Sequence, residues 1–583
     1  MYRLIHRLFR RRHRTSHDQP DGGRRARLTP AREPGPAHRG TTRPDPAGFA
    51  RASSGPAFLD LAENLRARFR EADDVVFRRF RLGDAAAGTV IYIAGLVESD
   101  RVEQAVIEPL VRWGREMHPE PPGETAGPGG WAAEPGTDVP ELSGSALDLA
   151  EIAERVLTAA QVSEARTWEA ACAAVLSGDV LVAFDGCERA VVVSNRGAKA
   201  RGVDEPLLEV TIRGPKDSFT ETLQWNIALV RRRIRDPHLC VSIVEVGRRS
   251  RTQVALLYIE GVAPESLVQE VKSRLARVDI DGVLDTGYIE HLIEDSWWSP
   301  FPQHIKTERP DKVVAALLEG RAALIAEGTP FVLMMPATLD ALFHSPEDSY
   351  DRWLPVNFLR AVRFIASVLC VSLPALYIAL VAYHPGILPT QFLLRAAAAR
   401  EGVAFPVVVE ALLMQFFLEL IKEAGFRVPS PIGQTFGIVG GITLGQVGVQ
   451  AGIVSEAMVI VVSATAISSF AAIDRELGTV LRLLGLPVML FSAVLGLPGL
   501  VMALTLIGIH LTTLRSYGVP YMAPYPYYRW RDLADTLVKA PMQAMQERPV
   551  HLVQDELTRL RVRGEKKRTR GRRRREERED ADA

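Results

Sequence analysis

Residues 431–470 read PIGQTFGIVGGITLGQVGVQAGIVSEAMVIVVSATAISSF and carry one charged side chain, that of Glu456. The hydrophobic stretch on each side of Glu456 is about 20 residues long, which is enough for a helix to cross a bilayer. This part of the chain therefore predicts a helical hairpin in a membrane, and it decides how the remainder is interpreted.

The first half of the predicted hairpin has two chemically different faces when it is projected on a helix. One face is built from closely spaced glycines, and such a face lets a second helix approach closely in lipid. This glycine face consists of Gly433, Gly437, Gly441, Gly445, Gly448 and Gly452. The opposite side, the polar face, consists of Thr435, Val439, Thr443, Gln446 and Gln450.

Two interpretations of the polar face are open from the residues alone. Amides and hydroxyls in a membrane need partners or water, because an unpaired buried polar group is costly. In the first interpretation the polar face hydrogen-bonds to adjacent helices. In the second it lines a water-filled pore, and Val439 is an apolar constriction that gates by dewetting.

Two glutamates in a second hydrophobic segment, Glu410 and Glu419, are further candidates. An ionisable residue at membrane depth is a functional candidate by default. Their spacing places them on opposite faces of a helix, so they do not form a paired acid–base site. A structural ion pair, an interfacial position and a role in conduction are the alternatives for each.

Charge and cysteine content exclude several classes of function. The chain has 583 residues with 70 basic and 70 acidic side chains, so its total charge does not identify a partner, and we expect no nucleic-acid partner. Its four cysteines show no paired or ligand-like spacing, which argues against a disulfide framework and a zinc site. We expect no metal site and no cofactor. We also expect no enzyme activity, because no nucleophile–base pair or phosphate loop occurs in a suitable context.

Strand and helix patterns predict an α/β region of two subdomains followed by an all-α polytopic membrane domain. The first subdomain should begin with a helix over Ala57–Phe80 and a buried strand over Thr89–Val97. The predicted parts are a basic disordered tail (1–55), subdomain 1 (56–205, with a Pro/Gly-rich insertion at 118–140), subdomain 2 (206–355), the membrane domain (356–520) and a basic cytoplasmic tail (521–583).

The membrane domain is predicted to contain six spans. The second is marginal because it holds two glutamates, and the last two are alternatively one helix broken near Pro498. Flanking basic residues fall on one side of six spans, with Arg395 and Arg400 as exceptions, and this side is cytoplasmic by the positive-inside rule. The spans are Ala361–Tyr383, Phe405–Ile421, Ile432–Val454, Ala457–Ile473, Leu483–Gly496 and Pro498–Leu514.

The run DIDGVLD at Asp279–Asp285 is similar to the DxDGx signature of haloacid-dehalogenase-type phosphatases. That chemistry needs its nucleophilic carboxylate at the end of a buried strand, beside Mg²⁺. The preceding residues, VQEVKSRLARV, have helical spacing instead. We therefore interpret the run as a capped turn between helices.

Six long segments between residues 205 and 525 resemble the A subunit of bacterial spore germinant receptors, the GerA family. Residues 1–55, the insertion 118–140 and the chain after Pro549 have no counterpart in that family. The segments are IRGPKDSFTETLQWNIALVRRRI (212–234), DIDGVLDTGYIEHLIED (279–295), SPFPQHIKTERPDKVVAALLEGR (299–321), LPALYIALVAYHPGILPT (373–390), LELIKEAGFRVPSPIGQTFGIVGG (418–441) and SYGVPYMAP (516–524).

The resemblance implies a cytosolic two-subdomain region and a multi-pass membrane domain in the spore inner membrane. It also implies a homo-oligomer that forms a nutrient-gated ion channel, whose release of monovalent cations starts germination. The implied partners are a transporter-like B subunit that binds the nutrient, a lipoprotein C subunit and the lipid bilayer. The family's Thr-Glu-Arg-Pro-Asp run matches Thr307–Asp311, which we interpret as structural or assembly-related.

Three other functions are weighed against the channel. The family includes a paralogue encoded with the dipicolinate-release proteins, although the long N-terminal region favours the receptor type. A secondary transporter would bind solute at broken helices near Pro498, but the two halves of the membrane region show no internal repeat. A passive scaffold would recruit other germination proteins and never conduct ions.

Overall fold

The computed structural model describes two antiparallel sheets followed by a helical region. The described residues are 61–82, 86–117, 161–185, 189–195, 206, 209, 211–427, 441, 443–471, 474–525, 535–536, 538–549, 552–553 and 558–559. The predicted tail at 1–55 and the predicted insertion at 118–140 lie outside them.

The first sheet has five strands in the order β1-β2-β4-β5-β3, and all of its pairings are antiparallel. Its central strands are short runs of buried β-branched residues, VLVAF and AVVV, which suit a sheet covered on both faces. The strands are β1 (Val75–Leu82), β2 (Ala86–Ile93), β3 (Val162–Ala165), β4 (Val180–Phe184) and β5 (Ala190–Val193). The helices are α1 (Leu61–Arg68), α2 (Ser99–Val102), α3 (Glu108–Met117) and α4 (Trp168–Leu176), with a π-helical turn (Glu103–Ile107) between α2 and α3.

The predicted helix over Ala57–Phe80 is wrong at its C-terminal end. Helix α1 ends at Arg68, and Val75 already belongs to β1. Strand β1 reads VVFRRFRL and pairs along its whole length with β2, from Val75 opposite Ile93 to Leu82 opposite Ala86. Its β-branched start and the partner strand outweigh the helical spacing of the arginines.

The second sheet repeats the strand order of the first, β6-β7-β9-β10-β8, again with antiparallel pairing. Its strands are β6 (Leu239–Val246), β7 (Thr252–Ile259), β8 (Ile305–Thr307), β9 (Ala322–Ala326) and β10 (Val332–Met335). The helices of this part are α5 (Leu223–Arg231), α6 (Glu265–Arg277), α7 (Thr286–Ile293), α8 (Pro310–Leu318), α9 (Leu339–Leu342) and α10 (Pro346–Tyr350). Two α/β subdomains are thus confirmed, and they share one connectivity.

A buried ion pair joins the two subdomains. Arg231 at the end of α5 donates from Nε and Nη2 to the two carboxylate oxygens of Asp74, at 2.7 Å each, and both side chains are fully or almost fully buried. Ala72 forms a parallel bridge with Val241 of β6. The segment before β1 therefore lies along the edge strand of the second sheet, so the two sheets form one connected α/β region.

The helical region begins with the longest helix, α11 (Trp353–Ile378), which continues into a π-helical turn (Ala379–Tyr383). Two helices, 353–383 and 475–495, are long and apolar enough to cross a membrane, and two shorter ones, α15 and α17, are also apolar. The remaining helices are α12 (Thr390–Ala398), α13 (Val407–Arg427), α14 (Gly448–Gln450), α15 (Glu456–Phe470), α16 (Arg475–Leu495) and α17 (Leu497–Thr513).

The last two predicted spans are separate helices that fold back on each other. Gly496 lies between α16 and α17 with φ of +66°, a left-handed conformation that favours glycine. An added Cβ there would lie 2.9 Å from the His384 ring, and one at Gly499 would collide with the carbonyl oxygen of Phe491. The two glycines therefore permit a tight turn followed by close helix packing.

The helical region packs directly on subdomain 2. Leu477 and Val480 of α16 and Leu514 after α17 belong to the same buried core as strands β6 to β10. Tyr521, Leu552 and Val553 are buried in that core too, so part of the stretch that the sequence assigns to a C-terminal tail packs on subdomain 2. Both ends of the α16–α17 pair thus meet the α/β region at one place.

Candidate functional site

Of the predicted hairpin at 431–470, the structure describes residue 441 and residues 443–470. Thr435, Val439, Gly433 and Gly437 lie outside the described residues. Thr443 begins a π-helical turn (Thr443–Val447), which runs into α14 and a bend before α15. The described end of the predicted third span is therefore a short, irregular helix, which differs from the regular helix expected over Ile432–Val454.

Two glycines of the glycine face lie against valines that follow them in the chain, one in α15 and one in the bend before it. An added Cβ at Gly445 would be 3.6 Å from Cγ1 of Val459, and one at Gly448 would be 3.2 Å from Cγ2 of Val454. Gly452 has φ of +65° and sits against the carbonyl oxygen of Gly402. Gly441 is exposed, and among the described residues nothing lies within 4 Å of an added Cβ there. Small residues thus allow the hairpin to close at its tip.

The two glutamines of the polar face are exposed. Gln446 lies within the π-helical turn and Gln450 ends α14. Gln450 also lines an open cavity of about 360 Å³, together with Gly402, Val403 and the exposed Glu456. In the described hairpin, Gly445 and Gly448 thus lie against valines, whereas the amides of Gln446 and Gln450 and the carboxylate of Glu456 are exposed.

Glu410 ties α13 to the start of α15. Its buried Oε1 accepts hydrogen bonds from the backbone N and the Oγ of Ser455, at 2.5 Å each. Ser455 in turn caps α15 by accepting from the backbone N of Met458. Nη1 of Arg400 lies 3.9 Å from Oε2 of Glu410. Glu410 therefore holds the bend of the hairpin in place, and the nearby arginine offsets its charge.

Glu419 lies in a different environment on the same helix. Its Oε1 is 3.4 Å from Nε of Arg482 on α16 and 3.4 Å from Nε2 of Gln415, and its side chain is 39% exposed. Lys422, one turn further along, donates to Oγ of Ser469 on α15 at 2.8 Å. This end of α13 is thus bound to two neighbouring helices through polar contacts.

A second polar cluster connects subdomain 2 to α16. Lys306 of β8 lies between Glu290 of α7, at 2.5 Å, and Glu476 in the first turn of α16. Glu290 is almost fully buried. Burial and the neighbouring Glu476 raise the pKa of Glu290 to about 7. Burial lowers the pKa of Lys306, but its close contacts with the two glutamates outweigh this and raise it to about 12.

This junction predicts a pH dependence of stability. The folded protein holds the Glu290 proton more tightly than an unfolded chain with the ordinary value of 4.5, so this contribution to stability is present at low pH and is lost as pH rises through about 7. The unfolding temperature of the wild-type chain should fall relative to Glu290→Gln between pH 5 and 8. Parallel curves for the two proteins would show that Glu290 has no such role.

The Thr307–Asp311 run forms an internal bonding centre. The Arg309 guanidinium is completely buried and uses all five of its N–H donors. The acceptors are Asp311 (3.0 and 2.9 Å), Thr211 Oγ1 (2.6 Å) and the carbonyl oxygens of Glu209 (3.2 Å) and Pro215 (2.9 Å). Asp311 also accepts from Tyr350 Oη at 2.7 Å. The run therefore fastens the segment before α5 to α8 and α10.

The aspartate-rich turn at 279–285 has a structural role. Asp285 is the N-cap of α7 and accepts from the backbone N of Gly287 at 2.8 Å. Asp279 and Asp281 pair with Arg248 on the neighbouring turn, where all three side chains are exposed. The structure thus shows the capped turn that the sequence predicts.

Sequence reasoning missed the residues that hold distant parts together. Lys306 and Glu476 are far apart in the chain, and nothing in their local sequence marks them as partners. Ser455 was detectable, because a serine directly before an apolar helix is a common N-cap. The partner of Ser455, Glu410, was recognised as a candidate without a role.

Comparison with known proteins places the chain among spore germination proteins. The model of the family described as Bacillus/Clostridium GerA spore germination protein matches residues 63–551. Spore germination protein KA of Bacillus subtilis (strain 168) is 38% identical over 494 residues, which cover 84% of this chain and 86% of that protein. The uncharacterized membrane protein YfkQ of the same organism is 34% identical over 494 residues, 85% of this chain and 91% of that protein.

Among solved structures, the crystal structure of the N-terminal domain of the A subunit of the Bacillus megaterium spore germinant receptor GerK3 is similar to this chain. It is 32% identical and covers 48% of this chain and 93% of that chain, with a TM-score of 0.35. The match of the family model extends over most of the chain, and the full-length relatives support a role in spore germination. This chain belongs to the GerA family of spore germination proteins.

Proposed function

We propose that the chain is the A subunit of a nutrient germinant receptor, with its helical region spanning the spore inner membrane several times. In this proposal several copies surround a pore that conducts monovalent cations and opens when nutrient binds. Both termini and the α/β region lie in the cytoplasm. The receptor is completed by a transporter-like B subunit and a lipoprotein C subunit.

The observation that carries the proposal is the two-sided hairpin at 441–456. Gly445 and Gly448 lie against Val459 and Val454, while Gln446 and Gln450 are exposed. An exposed amide is unfavourable against lipid but favourable against water or a second subunit. Thr435, Val439 and Thr443 complete the proposed pore lining, and Gly433, Gly437 and Gly441 extend the proposed packing side.

The junction at Lys306 supports gating from the α/β region. A movement of α7 or β8 would change the contacts of Lys306 with Glu290 and Glu476. Since Glu476 lies in the first turn of α16, such a movement would reach the helical region directly. Assembly through the α/β region and opening of the helices would thus be connected by one lysine.

A second candidate within the same family is a paralogue that acts after the receptors. The chain matches YfkQ, an uncharacterized membrane protein, over as much of its length as it matches protein KA. A secondary transporter is less well supported. The helix break that it would use at Pro498 is a tight turn, in which Gly499 packs against Phe491.

The proposal is tested in spores that carry a variant as their sole copy of this protein. The double replacement Gln446→Leu and Gln450→Leu should slow nutrient-triggered potassium release by about tenfold or more, equivalent to ~1.4 kcal/mol added to the barrier. Gln543→Leu, an exposed glutamine in the 3₁₀ turn Met542–Ala544, is the matched control and should leave release unchanged. Normal release from the double variant, at normal protein level, would contradict the proposed pore lining.

A further inference from the structure

The loop between α7 and β8 presents two adjacent tryptophans on the surface. Trp297 is 84% exposed and Trp298 is 66% exposed. Indole rings are largely apolar, so leaving two of them in water forgoes a substantial hydrophobic stabilisation. Neighbouring exposed aromatics of this kind mark a surface that contacts something other than water.

This loop is held against the C-terminal end of α17. The ring of Trp298 lies 5.1 Å from the ring of His510, and Ser299 Oγ lies 2.9 Å from Nε2 of His510. Phe301, two residues further on, is buried in the core of subdomain 2 and lies 5.9 Å from the same imidazole. Trp298, Ser299 and Phe301 therefore all contact His510, which fixes this part of the loop relative to α17.

Helix α17 changes from apolar to polar at this level. Its exposed side chains before His510 are mainly hydrophobic, with Thr505 as a polar exception, and include Val501, Met502, Leu506 and Ile509. After His510 the exposed residues of the helix are Thr512 and Thr513, and Arg515 follows beyond its end. The tryptophans thus lie at the point where an apolar exposed surface ends and a cationic side chain follows.

We propose that Trp297 and Trp298 anchor subdomain 2 in the headgroup layer of the bilayer. The inference rests on the proposed membrane location of α17. Tryptophan is enriched at membrane–water interfaces, because its ring is apolar and its N–H is polar. Arg515 at the same level suits the anionic phosphates of the cytoplasmic leaflet. Lipid is favoured over a second copy of the chain, because Trp298 lies beside His510, directly after the apolar exposed side chains of α17.

The anchor has a mechanical consequence for the proposed receptor. The loop connects α7, which holds Glu290, to β8, which holds Lys306. A loop fixed in the headgroup layer would keep these two elements at a constant height above the membrane. Movements that reach Glu476 through Lys306 would then occur relative to a fixed surface.

The test uses the full chain in lipid nanodiscs that hold one copy each. The fluorescence of the two tryptophans is obtained by subtracting the signal of the double variant Trp297→Phe and Trp298→Phe from that of the wild-type chain. That signal should be quenched more by a nitroxide on the lipid headgroup than by one at the end of the acyl chain, and lipid should shield it from iodide. Trp168→Phe, in subdomain 1, is the control and should remove a signal that the lipid nitroxides do not quench.

Flotation with vesicles separates the membrane location of the helices from the anchoring role of the two tryptophans. A chain that fails to float contradicts the membrane location of the helices, and the anchor with it. A chain that floats while iodide quenches the tryptophan pair equally with and without lipid overturns the anchor alone. Shielding that appears only when two copies share a nanodisc would identify a second copy as the partner, and this too would overturn the anchor.

Discussion

Replacing Arg309 by methionine should destabilise subdomain 2 by about 3–5 kcal/mol, the usual cost of removing one partner from a buried ion pair. Of the two hydrogen-bond partners of Asp311 described above, the variant would keep only Tyr350. The carbonyl oxygens of Glu209 and Pro215 would lose the hydrogen bonds that Arg309 donates to them. The change is measured by amide hydrogen exchange of β9 in the full-length chain.

Two further variants sharpen this prediction. Arg309→Lys should fall between methionine and wild type, since a lysine has three donors where arginine has five. Arg213→Met removes an exposed arginine whose contact with Asp351 is 3.3 Å long, and it should cost less than about 1 kcal/mol. Equal effects of Arg309→Met and Arg213→Met would show that the buried network does not hold the subdomain together.

Replacing Glu410 by alanine should have the largest effect within the helical region. It removes the acceptor for both the backbone N and the Oγ of Ser455, which are buried donors. Hydrogen bonds to a charged group contribute about 1.5–3 kcal/mol each, so exchange of the Ser455 amide should accelerate by about tenfold or more. Nutrient-triggered potassium release should also fall, because the bend between the proposed pore segment and α15 loses its tie.

Two replacements on α13 distinguish the effect of removing the charge at Glu410 from the effect of removing a carboxylate elsewhere on the helix. Glu410→Gln keeps one acceptor oxygen and should have a smaller effect than alanine. Glu419→Ala removes a half-exposed carboxylate paired with Arg482, and it should leave exchange of the Ser455 amide unchanged. If Glu419→Ala loosened Ser455 as much as Glu410→Ala, the tie would not be specific to Glu410.

The sequence predicted a helix or strand correctly where the residues of that element determine its conformation. The apolar run after Glu456 predicted a span over Ala457–Ile473, and α15 (Glu456–Phe470) agrees with it to within a few residues. The buried strand predicted over Thr89–Val97 corresponds to β2, which begins three residues and ends four residues earlier, at Ala86 and Ile93. In both cases hydrophobic residues fill the positions that the element buries.

Helix boundaries were less predictable, because hydropathy does not measure helicity. Helix α11 begins at Trp353, eight residues before the predicted span, and its early turns contain Arg360 and Arg363. Both arginines bind Asp348, so the helix is charged where it meets the α/β region. Helix α16 likewise starts at Arg475, ahead of the apolar run that predicted it.

Long-range pairing could not be obtained from the sequence. The alternation of strands and helices indicated two α/β subdomains, but not that both sheets share one antiparallel strand order. The partners of Glu410, Lys306 and Arg309 come from segments far away in the chain. Such contacts depend on how elements pack, so spacing rules within one helix or strand contain no information about them.

The most direct test of the proposed pore is the nutrient-triggered potassium current that the full-length chain carries across a planar bilayer when it is reconstituted with its B and C subunits. Replacing Gln446 and Gln450 by leucine should abolish most of the current, whereas replacing both by glutamate should raise the cation current, since acidic side chains attract cations into a pore. Currents that change in neither variant, or a chain that never conducts, would contradict the account.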